Sequence, residues 1–352
     1  MFKIIIFLIT IILFCKYFNR KIEKFSNYKS IVVKPNSAIY TKTTINFMPG
    51  KENQMNVAEN ISNIFPIVNI NAGCTGIKAL ELTNQYNNQL GLVTDEIYFY
   101  FTNKKKTHNL RFICTLGNEL FTLIIPFDSR LKNWKDIRNK KIGVIPDSSS
   151  YFILTKILTA FNIILVNEIV PIIYSPEKII KYFNKKKIDC LFTLTAHPDT
   201  VLQKVNKVKP IRICGIEGLD KKVLTGVFSF YNFEKISLEN YKLNKYIESL
   251  SVKLNLLCHK DFKHNNAYNL ISTIFSQFQY LTKNGDENYV IQMRNFNPSK
   301  LYLDNLKYKF HESVYKFLRD IGMITNNKSY YCKFKAGVSD CNIKKINHFR
   351  LL

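Results

Sequence analysis

The sequence lacks the residue patterns of metal sites and of common catalytic sites. Its eight cysteines include no C-x-x-C pair and no four-ligand zinc spacing, which argues against a structural metal. There is no G-x-S-x-G elbow, no second histidine at metal-binding spacing from His197, and no pair of carboxylates near it in sequence. We therefore expect a protein that is not an enzyme, with no catalytic residue, metal or cofactor.

Acidic residues are also scarce, because 26 Asp and Glu stand against 51 Lys and Arg and give a formal net charge of +25. So large a positive charge raises the hypothesis of nucleic-acid binding. The lysines, however, are spread along the whole chain, and only short runs such as 104–106 and 185–187 occur, without a zinc-finger or RNP motif. Such runs are typical of solvated helix ends, so nucleic acid is not an expected partner.

The remaining composition is that of a globular chain. Its 352 residues are 46 % apolar and 22 % charged, which suits two lobes or two domains. Three cysteines lie in apolar strand-like runs and are expected in the core: Cys114, Cys190 and Cys214. Cys332 and Cys341 flank a short loop in the basic tail 325–352, where they could pair in an oxidising compartment.

The amino terminus carries an apolar run. It is almost wholly apolar from Ile4 to Phe14, and the stretch Phe2–Phe18 is slightly short of the ~20 residues that span a bilayer. No small-x-small cleavage site follows Phe14. We therefore predict an uncleaved single-pass membrane anchor over residues 1–20, with a cleaved signal peptide as the alternative. Basic residues cluster after the run, so the positive-inside rule places the large domain on the cytoplasmic side.

Beyond this segment, strand and helix patterns alternate. The continuous apolar run Leu120–Pro126 is typical of a strand buried on both faces. The alternation predicts α/β layers around mostly parallel sheets. From Leu238 onward we expect mainly helices, two of them amphipathic: "HNNAYNLISTIFSQFQYLTK" and "HESVYKFLRDIGMI".

Four stretches occur in an order that resembles the TAXI-type solute-binding proteins of TRAP transporters, which are similar to type II periplasmic binding proteins. The stretches are "NNQLGLVTDEIYFYF", "NWKDIRNKKIGVIPDSSSYFILTKIL", "IDCLFTLTAHPDTVLQ" and "HESVYKFLRDIGMI". The residues that carry the resemblance are Gly91, Asp95, Trp134, Ile137, Lys140, Lys141, Gly143, Ala196, His197, Pro198, Tyr315, Arg319 and Gly322.

The resemblance implies a two-lobed α/β fold of the type II periplasmic-binding-protein kind, with a ligand cleft between the lobes. Lobe 1 is expected over residues 30–130 and 225–324, and lobe 2 over 131–224. It also implies non-enzymatic capture of a small carboxylate or amino acid and delivery to a membrane permease. That role requires an extracytoplasmic domain, which conflicts with the positive-inside rule and leaves the orientation open.

Helix starts supply candidate contacts for an anionic ligand, because their free N–H groups and dipole favour negative charge. One start contains Gly73, Cys74 and Thr75, and the other contains Ser148, Ser149 and Ser150. Ordinary helix capping is the alternative for both. Asp147 complicates the second start, since a carboxylate there repels an anion unless it points away.

Two further groups complete the candidate site. Thr94, Asp95 and Tyr98 follow a short strand, where ligands bind in open α/β sheets; Tyr98 is equally suited to the core. His197 lies at a strand-to-helix break and is expected to shape the loop or line the cleft rim. Pro198 is expected as the first helical residue.

One departure from the resemblance concerns the ligand. The glycine-rich first loop of the family is replaced here by "INFMPGKENQMNVAENI", which retains only Gly50. The main hypothesis is a membrane-anchored solute-binding protein. One alternative is a membrane-tethered structural or interaction protein with a degenerate cleft and a basic surface for anionic lipid. A second is an enzyme on the same fold, such as a pyrimidine-precursor synthase.

Overall fold

A computed structural model describes the following residues of the chain: 43–46, 57–59, 61–63, 65, 68–71, 76–104, 108–132, 134–145, 148–163, 168–216, 223–224, 231–243, 246–276 and 308–320. The predicted anchor 1–20, the basic tail 325–352 and the pair Cys332 and Cys341 lie outside them. Within these ranges, no helix has the length and apolar character that crossing a bilayer requires.

Strands and helices alternate along the first two thirds of the chain. The strands are β1 Thr43–Asn46, β2 Val68–Asn71, β3 Gln89–Thr94, β4 Leu110–Pro126, β5 Lys141–Val144, β6 Glu168–Pro171, β7 Cys190–Thr195, β8 Ile211–Cys214, β9 Asn232–Ser237 and β10 Tyr246–His259. The helices are α1 Gly76–Gln85, α2 Asp95–Lys104, α3 Ser148–Ala160, α4 Pro176–Asn184, α5 Thr200–Val208, α6 His264–Ser276 and α7 Glu312–Asp320, with 3-10 turns at Trp134–Ile137 and Glu239–Tyr241.

The described strands form one mixed sheet in the order β2-β1-β3-β10-β4-β7-β5-β6, with β8 paired to β4 and β9 paired to β10. The predicted α/β class is confirmed. The prediction of a mostly parallel sheet is wrong, because β10 is antiparallel to β3, β4 and β9, and β4 is antiparallel to β7 and β8. Parallel pairing is confined to two outer groups, β2-β1-β3 and β6-β5-β7.

The expectation that the chain is mainly helical from Leu238 onward did not include the long strand β10. β10 occupies 14 residues of that region, and its sequence alternates Leu250, Val252, Leu254 and Leu256 with Ser249, Ser251, Lys253 and Asn255. This two-residue period is the pattern of a strand. The two amphipathic helices are confirmed as α6 and α7, and the strand predicted at Leu120–Pro126 is confirmed as the buried second part of β4.

Two unusually long strands, β4 and β10, each contribute to separate apolar clusters. The first cluster takes residues up to Leu116 of β4 and from Leu254 of β10, and adds α1, α2, α6 and α7. The second cluster contains α3 and β5, and the third contains α4 and α5; both use β4 from Leu120 and β10 up to Val252. The register of the β4–β10 pair shifts between Leu254 and Asn255, close to this change.

Local sequence explains why the helices beside the second part of β4 begin where they do. Ser175 precedes α4 and accepts a hydrogen bond from the Lys178 N–H at 3.3 Å, with Pro176 as the first helical residue. The prediction that Pro198 has the same role in α5 is wrong. Asp199 caps α5 instead, because its Oδ1 accepts from the Leu202 N–H at 2.9 Å, and the helix begins at Thr200.

Trp134 and Gly143, which both carry the family resemblance, lie in closely packed surroundings. The Trp134 indole donates to the Gly215 carbonyl at 2.9 Å and is 2 % exposed. Gly215 also approaches β10 so closely that a Cβ would lie 2.0 Å from the Glu248 carbonyl oxygen. At Gly143 a Cβ would meet the end of the Ile188 side chain at 3.0 Å, which is a contact that a rotamer change can relieve.

We predict that Gly215→Ala destabilises the protein by about 2–3 kcal/mol, because the added methyl forces β10 backbone to move. Gly143→Ala is the matched control and should cost about 1 kcal/mol, since only side-chain atoms of Ile188 and Leu191 must move and no backbone is approached. The measurement is urea unfolding, with the midpoint compared at unchanged m-value. Equal midpoints for the two variants would contradict the close approach at Gly215.

Candidate functional site

The helix α3 of the second apolar cluster contacts helices of the first. This helix packs its apolar residues into the second cluster and contacts α1 and α2, which belong to the first. The predicted residues Ser148, Ser149 and Ser150 form the first turn of α3, and Ser150 is fully buried. The side chains of Ser148 and Ser149 lie outside the described residues, as do Asp147 and the other predicted helix start, Gly73, Cys74 and Thr75.

Two buried acidic residues open α2 at this junction. β3 ends at Thr94 and α2 begins at Asp95, so Asp95 and Glu96 occupy the first turn of the helix. Asp95 is 0 % exposed and Glu96 is 1 % exposed. The helix dipole favours negative charge at this end, and the Thr94 hydroxyl donates a hydrogen bond to Glu96 Oε1.

Glu96 interacts electrostatically with two side chains that lie beside or within the second apolar cluster, Lys156 and Tyr231. Burial lowers the pKa of Lys156 on α3, and the charge of Glu96 partly opposes that shift. Burial raises the pKa of Tyr231 well above its usual range, and the charges of Glu96 and Asp95 raise it further. The junction therefore combines carboxylates, an ammonium group and a phenol in a largely dry environment.

Asp95 is held by donors from two distant parts of the chain. Its Oδ1 accepts a hydrogen bond from the Asn255 amide of β10 at 2.5 Å and another from the Tyr308 hydroxyl. Asn255 in turn accepts from the Thr115 hydroxyl of β4 at 2.9 Å. This network fastens the start of α2 to both long strands, and a ligand contact by Asp95 stays a prediction.

Tyr98, which was predicted to contact a ligand or to lie in the core, packs inside the first cluster. It is 6 % exposed, and its ring centroid lies 5.0 Å from that of Tyr308 and 6.0 Å from that of His108. Burial raises its pKa to about 12. These contacts favour the core alternative, and a ligand contact by Tyr98 stays a prediction.

His197 joins three elements rather than facing a reacting group. Its Nδ1 lies 2.7 Å from the Tyr241 hydroxyl, and its Nε2 lies 3.2 Å from the Thr122 hydroxyl of β4. The Tyr241 oxygen already accepts the Asp199 N–H at 2.6 Å, so its own proton is free to donate to Nδ1. The ring is then the neutral Nε2–H tautomer, in agreement with a pKa that burial lowers to about 3.

The partners of His197 are not those of a catalytic dyad. A general base must reach the proton of a reacting group, whereas the two described partners of this ring, Thr122 and Tyr241, are 0 % and 1 % exposed. Asp199, the nearest acidic residue in sequence, accepts from Thr195 at 2.6 Å and from Tyr174 at 2.8 Å. Among the described side chains, no group of three His, Cys, Asp or Glu is placed to hold a metal ion.

A further group of polar side chains links β4, β9 and β10. It lies near the residues at which β4 and β10 pass from the first apolar cluster to the other two. Glu234 of β9 accepts a hydrogen bond from the Asn118 amide of β4 and another from the Ser251 hydroxyl of β10 at 3.1 Å. Burial raises the pKa of Glu234. No local sequence pattern indicated this group or the Asp95 network, since their members are up to 213 residues apart.

We predict that His197→Gln flattens the loss of stability on acidification. The unfolded chain takes up a proton at this histidine below about pH 6.5, whereas the folded ring, with its pKa near 3, stays neutral. Stability therefore falls between about pH 6.5 and pH 3 by roughly 1.4 kcal/mol per pH unit for this group. Urea unfolding at a series of pH values should show a slope smaller by that amount in the variant.

His264→Gln is the control for this experiment, because the His264 side chain is 63 % exposed. It should change the acidic slope by less than His197→Gln does, because burial is the main cause that lowers the pKa of the neighbouring His311 and the charge of His264 only adds to it. If the His197 variant and the wild type lose stability in parallel as the pH falls, the neutral buried ring is contradicted.

Comparison with known proteins gives a family match. The model of the NMT1-like family matches residues 97–322, and no curated protein matches the chain. The match does not distinguish the TAXI type, which stays a prediction.

Solved structures are similar at low sequence identity. A protein from Bordetella bronchiseptica RB50 is 13 % identical, with 80 % of this chain and 98 % of that chain covered and a TM-score of 0.49. The arginine-, lysine-, histidine-binding protein ArtJ from Geobacillus stearothermophilus is 12 % identical, with coverages of 75 % and 99 % and a TM-score of 0.43. The alkanesulfonate-binding protein SsuA from Xanthomonas axonopodis pv. citri is 13 % identical, with coverages of 79 % and 83 % and a TM-score of 0.40.

The family match runs from within α2 to just beyond α7 and includes α3, the His197 turn and both long strands, whereas Asp95 and Glu96 lie just before it. Since it spans well over half of the 352 residues, the chain belongs to the NMT1-like family.

Proposed function

We propose that the protein is a non-catalytic solute-binding protein that closes two α/β lobes over a small solute. The observation that carries the proposal is the path of β4 and β10, which pass side by side from the first apolar cluster to the other two. Two adjacent strands that link separately packed cores form a narrow connection. Relative motion of packed bodies about a few connecting residues is a common route to ligand closure.

The lobes follow from this division. Lobe 1 contains the first cluster, and lobe 2 contains the second and third. The change of cluster favours boundaries inside the two strands, between Leu116 and Leu120 in β4 and between Val252 and Leu254 in β10. The sequence-based boundaries at residues 130 and 225 stay a prediction.

Between a dicarboxylate and an amino acid, the α2–α3 junction favours an amino acid. Asp95 and Glu96 are buried at the start of α2, and two acidic groups in a dry site repel a second carboxylate on the ligand. An ammonium group is attracted to the same position. Lys156 and the first turn of α3 are suited to the ligand's single carboxylate.

The cellular setting is proposed from the sequence. The apolar run at residues 1–20 is proposed as a membrane anchor and a permease as the receiving partner. The binding domain is proposed as extracytoplasmic, because the solute-binding role requires that side although the positive-inside rule favours the other. The TAXI type of transport system is proposed because the four sequence stretches resemble that family. Phe47, Met48 and Lys51, whose side chains decide whether the cleft is filled, lie outside the described residues.

The experiment is a thermal-shift screen of the full-length chain in detergent against the common amino acids and small dicarboxylates. A bound amino acid at 100 times its dissociation constant should stabilise the fold by ~2.7 kcal/mol. Glu96→Gln keeps the size of the side chain but removes the charge that attracts the ammonium group. It should abolish or greatly reduce the shift while the ligand-free variant stays folded.

Glu81→Gln is the matched control, since it removes one carboxylate from α1 at a site 44 % exposed, and its shift should equal that of the wild type. Replacing Ser148, Ser149 and Ser150 by alanine should weaken the shift if the first turn of α3 binds the carboxylate. A folded chain that responds to no member of the panel contradicts the binding function and favours a degenerate cleft. A shift with dicarboxylates that survives Glu96→Gln contradicts only the ligand class.

A further inference from the structure

Large apolar side chains are exposed where the end of β4 meets the end of α5. Phe127 is 63 % exposed and Val208 is 70 % exposed. The two are neighbours through the backbone, because the Phe127 N–H donates to the Pro210 carbonyl at 2.9 Å and Pro126 pairs with Ile211. Exposing aromatic and β-branched side chains has a free-energy cost in water, so two at one place call for an explanation.

The loop that presents Phe127 is held in place by several contacts. Arg212 of β8 donates to the Ser129 and Leu131 carbonyls at 2.6 and 2.5 Å, and its guanidinium lies 5.9 Å from the centroid of the Phe127 ring. The Ser129 N–H also donates to the Pro126 carbonyl at 3.0 Å. Because these bonds fix the loop, the exposure of Phe127 is a property of the fold.

Positive charge surrounds the exposed apolar groups. Residues 127–132 and 203–212 contain six basic residues and one acidic residue, Asp128. Asp128 lies 3.5 Å from the Lys209 ammonium, so it is already paired with one of the six. Lys204 and Val208 are four residues apart on α5 and therefore share a face, with Lys207 beside them.

We propose that this surface, formed by Phe127, Arg130, Lys204, Lys207 and Val208 and called the Phe127 surface below, docks on an anionic lipid membrane. Aromatic and aliphatic side chains enter the boundary between headgroups and acyl chains, while surrounding lysines and arginines contact lipid phosphates. The Phe127 surface offers both kinds of group together. Docking would hold the second and third clusters against the bilayer.

A membrane fits this surface better than an acidic protein. A stable protein interface buries about 1,200–2,000 Å² around a central apolar core, whereas the Phe127 surface has only two exposed large apolar side chains set among flexible basic ones. The apolar run at the amino terminus provides an independent reason for the chain to be close to lipid. Net positive charge of +25 further favours approach to an anionic membrane surface.

The test places a reporter at the proposed contact in the full-length chain. Phe127→Trp introduces an exposed indole, while the native Trp134 is 2 % exposed and bonded to Gly215, so it gives a constant background. Tryptophan emission is recorded with vesicles of phosphatidylcholine alone and with vesicles that also contain phosphatidylglycerol. We expect a blue shift with the anionic vesicles that is absent with the neutral ones and is reduced by salt.

Removing charge from the surface should weaken this response. Adding Arg130→Gln, Lys204→Gln and Lys207→Gln to the reporter variant should lower the affinity of the Phe127 surface for anionic vesicles on the order of a hundredfold, since each nearby basic residue contributes roughly a fivefold factor. This affinity is read from the blue shift and not from vesicle binding as such, which the proposed anchor would give by itself. The matched control removes the same number of charges from exposed lysines on the helices of the first cluster: Lys78, Lys104 and Lys316. It should keep most of the affinity.

A second reporter tests whether the contact is local. Ile70→Trp lies on the edge strand β2, which β1, β3 and β10 separate from β4, and Ile70 is 38 % exposed; its emission should not shift. Circular dichroism verifies that each variant is folded. The proposal is overturned if Phe127→Trp gives no shift with anionic vesicles, if neutral vesicles give the same shift, or if both triple variants lose affinity equally.

Discussion

The antiparallel pair of β4 and β10 is the constraint on which the rest of the structure depends. These two strands are paired along most of their length, and they supply buried residues to all three apolar clusters. The parallel groups β2-β1-β3 and β6-β5-β7 are attached on either side of the pair. The register of the pair shifts twice, between Leu254 and Asn255 and between Leu256 and Leu257. Irregularities of this kind bend a strand locally, and these lie close to the residues at which the apolar clusters change.

Buried polar groups are concentrated where these strands pass from the first apolar cluster to the other two. The Asp95 network fastens α2 to both strands, and Glu234 bridges Asn118 and Ser251 on the same pair. Hydrogen bonds make such burial tolerable, and they also specify one arrangement, because a small displacement would leave a carboxylate unsatisfied in a dry environment. His197 has the same role at the far end of β4, where it is bonded to Thr122 and Tyr241. Charged and polar side chains thus hold the two long strands and the neighbouring helices in one arrangement. Glu96, Lys156 and Tyr231 lie where the first apolar cluster meets the second.

The sequence predicted the elements whose patterns are local. The buried strand Cys190–Thr195, the helix beginning at Ser148 and the helix α7 were all expected, since apolar periodicity and capping residues lie within a few positions of each other. The antiparallel centre of the sheet was not, because strand-helix alternation says nothing about a strand that returns after more than a hundred residues. β10 was missed although Leu250 to Leu256 alternate, since the helical signals that follow it dominated the interpretation. Asn255 and Tyr308 had no local signal at all, as their roles arise only when Asp95 is brought beside them.

The central claim, that two lobes joined by β4 and β10 close over a solute, is tested most directly by small-angle X-ray scattering of the full-length chain in detergent, with and without saturating solute from the thermal-shift screen. The account predicts a smaller radius of gyration for the protein when the solute is bound, with the change lost in Glu96→Gln. An identical scattering profile with and without a solute that demonstrably binds would contradict closure about these strands.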